Sequence, residues 1–276
     1  MLKVVRYIPW RQLGYVCLGL LVLVGIGMLM SLVKKKDTAQ ACVSMKVIVE
    51  GKETFIDQHD ISDLVNKTFG NVVGKPLKDI PTDRIERALM ELPYVSSAEI
   101  YADMDGVLQI VVQQREVILR IVNGAGKEYY IDTKGAKVPV TLKYVPHVLV
   151  ANGNIREGYE KPLDTIRTQL VKDLVTIVEQ VKDDPLWSNQ IVQLYVDDQQ
   201  DIEIIPRVGT QPLVLGNAAK LDEKLDRLEI FYKNILPKVG TGAYEKVNVK
   251  YDGQIICERR DGWMLDSLQM KLKMNN

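Results

Sequence analysis

Few residues in this 276-residue chain have types and spacings suited to chemistry, and each is weak on its own. The two histidines, His59 and His147, stand without a carboxylate or cysteine at metal-ligand spacing. His147 follows Pro146 ahead of a strand-like run, where a packing or surface role is expected. Gly70-Asn71-Val72-Val73-Gly74-Lys75 resembles a phosphate loop, but three residues rather than four separate its glycines. Pro76 also stands where a Ser or Thr would hold the metal. Gly124-Ala125-Gly126-Lys127 is followed by Glu128 and lies between strand-like runs, so it cannot cradle a phosphate either. No G-x-S-x-G elbow supplies a hydrolase nucleophile. The acidic pairs Asp183-Asp184 and Asp197-Asp198 fall at a predicted helix end and a predicted turn, where solvation accounts for them. The residues therefore predict no catalytic site, no metal, no cofactor and no small-molecule substrate.

The strongest signal is physical rather than chemical. Residues 13–33 run without a charge, and a helix of that length reaches about 30 Å, the hydrocarbon thickness of a bilayer. A cleaved signal has a shorter apolar run, and the A-x-A pattern at Ala39-Gln40-Ala41 lies beyond Lys34-Lys35-Lys36-Asp37. A retained single span is expected, with residues 34–43 as a tether. Lys3, Arg6 and Arg11 before the span balance the three lysines after it, so charge alone leaves orientation open. The short tail 1–12 is expected to stay in the cytoplasm, as is common for single-span proteins built this way. Removing residues 1–36, with six basic groups and no acids, leaves 30 basic and 36 acidic residues, a net of −6. Such a balance is poor for nucleic-acid binding. Three cysteines, Cys17, Cys42 and Cys257, make no disulfide framework, so packing must hold the fold.

After the tether the periodicity predicts a strand over 44–51, with Met45, Val47 and Val49 alternating against Lys46, Ile48 and Glu50. A helix follows, capped by Asp60, with Ile61, Leu64, Val65 and Phe69 on one face and Gly70 as its stop. TDRIERALMELP reads as a second helix, capped by Thr82, with Ile85, Leu89 and Leu92 as its stripe. A strand through Ala98, Ile100 and Ala102 turns at Met104-Asp105-Gly106 into one continuous return strand over 107–122. This β-α-α-β-β unit, residues 44–122, makes a two-layer core. Residues 123–258 predict a larger, mixed, β-rich sheet domain flanked by two helices. One helix carries Leu163, Ile166, Leu170, Leu174, Ile177 and Val181; the other carries Leu221, Leu225, Leu228 and Ile235. A hairpin turns between Asp197 and Asp201, and KVNVKYDGQIICERR reads as a single late strand. The fold class is α+β, and residues 259–276 form a C-terminal tail.

This order of elements resembles the FtsQ/DivIB family of bacterial cell-division proteins. The match is carried by VIVEGKETFIDQHDISDLV and by Leu92-Pro93-Tyr94-Val95-Ser96-Ser97-Ala98 with the hairpin after it. It is carried further by Tyr130-Ile131-Asp132-Thr133-Lys134-Gly135 and by Val247-Asn248-Val249-Lys250-Tyr251-Asp252. Gln113-Gln114-Arg115-Glu116-Val117 departs from the family pattern, lacking a glutamate before the arginine and a proline after the glutamate. The resemblance implies that 44–122 is a POTRA domain and that the protein is a non-enzymatic scaffold. It implies an inner-membrane location, with the bulk of the chain periplasmic or extracytoplasmic. It also implies that the distal domain binds small single-span coiled-coil partners, FtsB- and FtsL-like, through its last strand. A late edge strand offers unpaired N–H and C=O groups that another chain can complete. The residues expected there are Val247, Val249, Tyr251, Gln254 and Ile255, with Tyr251 as aromatic anchor; the side chains of Val247 and Val249 are expected to face the core. POTRA units also serve transport and outer-membrane assembly factors, but the several copies or long run of barrel strands usual there are not seen.

Overall fold

The computed structural model describes Tyr15, residues 18–28 and residues 40–260. Tyr15 and residues 18–28 are helical and exposed. The rest of the expected 13–33 span, the tail 1–12, residues 34–39 of the tether and residues 261–276 lie outside the described residues. Among the described residues no helix is long and apolar enough to cross a membrane.

The chain folds as two units that interleave along the sequence. Among the described residues, the first takes in those up to Glu50, Ile56–Leu92 and Ser97–Gln113; the second takes Gly51–Phe55, Pro93–Ser96 and those from Gln114 onward. In the first unit, β1 (Ser44–Glu50) is followed by α1 (Gln58–Phe69), α2 (Thr82–Met90), β2 (Val95–Ala102) and β3 (Val107–Gln114). The sheet order is β1-β3-β2, with β1 parallel to β3 and Val47 opposite Ile110. The β-α-α-β-β order is as the periodicity predicts. Alternation along β3 sends Leu108, Ile110 and Val112 into the core, and Ile61, Val65, Ile85 and Leu89 of the two helices are fully buried as well. Each such side chain contributes about 1.5–3 kcal/mol against the cost of ordering the chain.

Two caps differ from the sequence reading. Asp57, not Asp60, caps α1, its carboxylate accepting from the N–H groups of His59 and Asp60. Asp60 reciprocates by accepting from Asp57 N–H, a capping box that satisfies donors at both positions. Thr82 is the first residue of α2 rather than its cap, which is Pro81 and makes no side-chain bond.

The second unit is one nine-stranded mixed sheet. Its strands are β4 (Val117–Val122), β5 (Glu128–Asp132), β6 (Lys137–Pro139), β7 (Leu149–Gly153), β8 (Ile191–Val196), β9 (Ile202–Pro206), β10 (Leu213–Gly216), β11 (Tyr244–Asn248) and β12 (Ile256–Arg259). They lie in the order β12-β11-β10-β9-β8-β7-β4-β5-β6. Helices α3 (Gln169–Val181), the short α4 (Trp187–Gln190) and α5 (Leu221–Ile230) join a single core with one face of that sheet. A π-helical turn over Phe231–Ile235 continues α5 into α6 (Leu236–Val239). Leu174, Ile177, Val181, Leu225 and Leu228 from the helices meet Ile121, Leu194, Ile204, Leu213 and Val247 from the strands.

Three elements depart from the sequence reading. The strand expected over 107–122 breaks at Arg115-Glu116, and its second half, β4, pairs with β5 and β7 in the large sheet. Arg115 makes that break. Its N–H donates to Tyr94 C=O at 2.8 Å, and its buried guanidinium donates to Pro93 C=O, Val95 C=O and the Asp132 carboxylate. Leu163 and Ile166 lie ahead of α3, whose cap is Thr168; Leu163 takes a φ of 60° and donates to Lys137 C=O. The single late strand is a hairpin, β11 and β12, turned through Tyr251-Asp252-Gly253 with Gly253 at φ 67°.

Candidate functional site

His59 is exposed on α1, its Nε2 3.7 Å from the Asp63 carboxylate one turn on. Exposed His147 lines a shallow cleft of about 210 Å³ with Glu116, Lys182 and Ser188. Among the described residues no group of histidine, cysteine and carboxylate side chains is placed to hold a metal. Besides Arg115–Asp132, the second unit holds a buried ion pair of Lys137 with Glu157 at 2.8 Å, closed off from solvent. Burial works against the Glu157 anion. Hydrogen bonds from Lys137, Thr168 and Arg167 outweigh it and hold the carboxyl below its ordinary range. That carboxylate ties down the chain entering α3.

The end of the sheet formed by β11 and β12 has a different character. Leu213 and Val214 of β10 pair in parallel with Val247 and Asn248, while β12 pairs antiparallel on the other side of β11. Val247 and Val249 are fully buried, as their side chains were expected to be. Their backbone N–H groups donate to Pro212 and Val214 C=O, so they are not an edge. The last strand is β12. Since Val247 and Val249 face β10, Lys246 and Asn248 face β12, opposite Glu258 and Ile256. By the same alternation Cys257 turns its N–H and C=O away from β11. Its side chain packs on the core with Ile255, and burial pushes its thiol pKa up. Among the described residues no strand lies beyond β12.

The remaining expected residues lead into that strand. Tyr251 is 50% exposed at the hairpin turn, Gln254 is exposed and Ile255 half-buried. The turn is held from below. Lys250 Nζ reaches the Asp201 carboxylate at 2.6 Å, Lys220 reaches Asp252 at 2.5 Å, and Arg227 donates to Val249 C=O at 3.0 Å. The hydrogen bond from Lys250 to Asp201 raises the lysine pKa. Beside it, Lys246 pairs with buried Glu203 at 2.6 Å and is raised in the same way. Sequence reasoning missed Ile256 and Glu258, two of the three exposed residues of β12. The signal was present in Asp252-Gly253, the same dipeptide that marks the turn at Asp105-Gly106.

The geometry is that of a framework whose last described strand is short and exposed and follows an aromatic-bearing turn. Comparison with known families agrees in both parts of the chain. A POTRA-like domain model matches residues 40–113, the span of the β1-to-β3 unit. A model described as FtsQ/DivIB, C-terminal related, matches residues 116–258, from just before β4 into β12. Among curated proteins no sequence matches the chain significantly. The C-terminal model covers more than half of the chain and is joined, in the expected order, by the POTRA-like unit, so the chain belongs to the FtsQ/DivIB family of bacterial cell-division proteins.

Proposed function

We propose that this protein is a membrane-anchored scaffold of cell division that links small single-span coiled-coil partners, FtsB- and FtsL-like, by strand addition along β12. In this reading residues 13–33 span the inner membrane, the tail 1–12 stays in the cytoplasm and the two units lie outside it. Family membership supports a division role without catalysis, since the family is generally non-enzymatic. The observation that carries the partner reading is β12 itself. It is the last strand of the nine-strand sheet, and its Cys257 backbone groups point away from β11. An incoming strand would complete that ladder, with Tyr251 as side-chain anchor and Ile256 and Glu258 as neighbours. The residues assigned are therefore Tyr251, Gln254, Ile256 and Glu258, with Val247 and Val249 as the support behind them.

A photoreactive residue placed in turn at Tyr251, Gln254, Ile256 and Glu258 in dividing cells tests this. The expected products are crosslinks to small single-span coiled-coil proteins. Crosslinks to outer-membrane barrels would move the chain to envelope assembly, and no specific protein product would remove β12 from the interface.

A further inference from the structure

The pole of the first unit that holds residues 40–43 has an unusual construction. Residues 40–43 are laid between two loops rather than left as a free lead-in. On one side Val43 N–H donates to Gly106 C=O at 2.9 Å, and Gln40 Nε2 donates to Met104 C=O at 2.8 Å. On the other side Cys42 N–H donates to Lys75 C=O, Gly74 N–H to Cys42 C=O and Leu77 N–H to Gln40 C=O, at 2.8, 2.8 and 3.0 Å. Gly106, at φ 82°, lets the strip lie this close, since a Cβ there would stand 2.9 Å from Ala41 C=O. The two loop tips and the strip therefore form one tied surface.

That surface is apolar where it is most exposed. Met104, at the tip of the β2–β3 turn, is 98% exposed; Val43 is 66% and Val73 45% exposed. Two acids flank Met104: the Asp103 carboxylate is engaged by the turn itself, accepting from Asp105 N–H, Val107 N–H and Gln109 Nε2, and Asp105 is exposed beside it, placed to stay at headgroup level while Met104 reaches further in. The length of chain ahead of the pole fixes where it can be. From Val33, the last residue of the apolar run, to Gln40 is seven residue steps, which reach at most about 25 Å when fully extended. Met104, tied to Gln40, stays within roughly that distance of the end of the run. An exposed methionine on a braced turn this close to a bilayer suits the layer between headgroups and acyl chains.

We infer that this pole, with Met104 at its tip and Val43 and Val73 beside it, rests in the interfacial layer of the membrane. It would act as a second, non-covalent contact that limits how the first unit tilts on its anchor. The inference rests on the proposed span at 13–33. To test it, the full chain is reconstituted in phosphatidylcholine vesicles with a minority of phosphatidylglycerol, some of the lipid bearing an acyl-chain diazirine. Photolabelled peptides are then mapped in the parent chain and in Met104→Asp, whose melting should match the parent because the side chain makes no packing contact that its exposure would allow. Expected is label on the peptides holding Val43 and Val73, falling several-fold in Met104→Asp while label on residues 13–33 stays constant. Label on 13–33 with none at the pole, or pole label indifferent to Met104→Asp, overturns the inference and leaves the anchor standing. Absence of label on 13–33 removes the anchor, and the inference with it.

Discussion

The two ends of the nine-stranded sheet solve the same problem in opposite ways. Any sheet that does not close on itself has two strands with a side left over, and unprotected edges invite unwanted pairing. At the β6 end the chain protects itself. Residues 163–166 fold back so that Lys137 N–H donates to Asp164 C=O, Leu163 N–H to Lys137 C=O and Ile166 N–H to Gly135 C=O. Lys137 and Glu157, an ion pair with both side chains almost wholly buried, lock that segment in place. At the β12 end the described chain adds no such segment, and Ile256 and Glu258 stand exposed. A chain that invests a buried charge pair in sealing one edge has the means to seal both. Among the described residues it seals only the β6 end.

The contrast can be broken most severely at the sealed end. Glu157→Ala leaves the Lys137 ammonium buried without its anion and strips the entry to α3 of its acceptor, and should cost about 3–5 kcal/mol. A urea titration of the second unit would show it; an unchanged midpoint would mean the pair is no lock. The same carboxylate makes a pH prediction. Its folded pKa lies below its unfolded one, so its contribution is present above the ordinary carboxylate range and is lost as the pH falls through the depressed value. The stability gap between the parent chain and Glu157→Ala should therefore narrow in acid.

At the other end the effects should divide between stability and binding. Val247→Ala removes two buried methyls from β11 and should cost about 2 kcal/mol of stability. A thermal melt that did not move would mean that β11 is not part of the core. Tyr251→Ala should leave the melt alone and weaken partner binding by on the order of 2 kcal/mol, read as a loss of affinity in a pull-down titration. Equal binding would remove Tyr251 from the interface. Smallest of all, Lys250→Ala deletes a half-exposed ion pair with Asp201 and should cost under about 1 kcal/mol. Because the folded lysine pKa is raised, that contribution holds below the ordinary lysine range and fades as the pH climbs through the raised value.

Local signals carried the elements further than they carried their partners. The alternation that sends Leu108, Ile110 and Val112 inward, and the stripe of Ile85 and Leu89, are readable because each depends on spacing within one element. The break at Arg115 is not readable that way. Apolar alternation runs on through it, and the interruption comes from bonds to Pro93, Val95 and Asp132, all distant in sequence. The α3 boundary fails for a related reason. Leu163 and Ile166 keep helical spacing, but their N–H groups are committed to Lys137 and Gly135 in the sealed edge. The site was half legible. The burial of Val247 and Val249 followed from alternation, whereas which strand comes last among the described residues depended on reading Asp252-Gly253 as a turn.

The interleaving of the two units bears on how this protein can be taken apart. Phe55 stacks on Tyr94 with ring centroids 5.1 Å apart, and meets Tyr130 and Tyr144 at 6.1 and 5.2 Å, all within the second unit. A fragment cut at residue 116 to isolate the C-terminal region would discard Phe55, Tyr94 and Arg115 together. It would leave a hole lined by Val117, Tyr130 and Val138, and strand the Asp132 anion in it. Such a truncation would report on its own damaged floor, so dissection of this scaffold is better done by point substitution in the intact polypeptide.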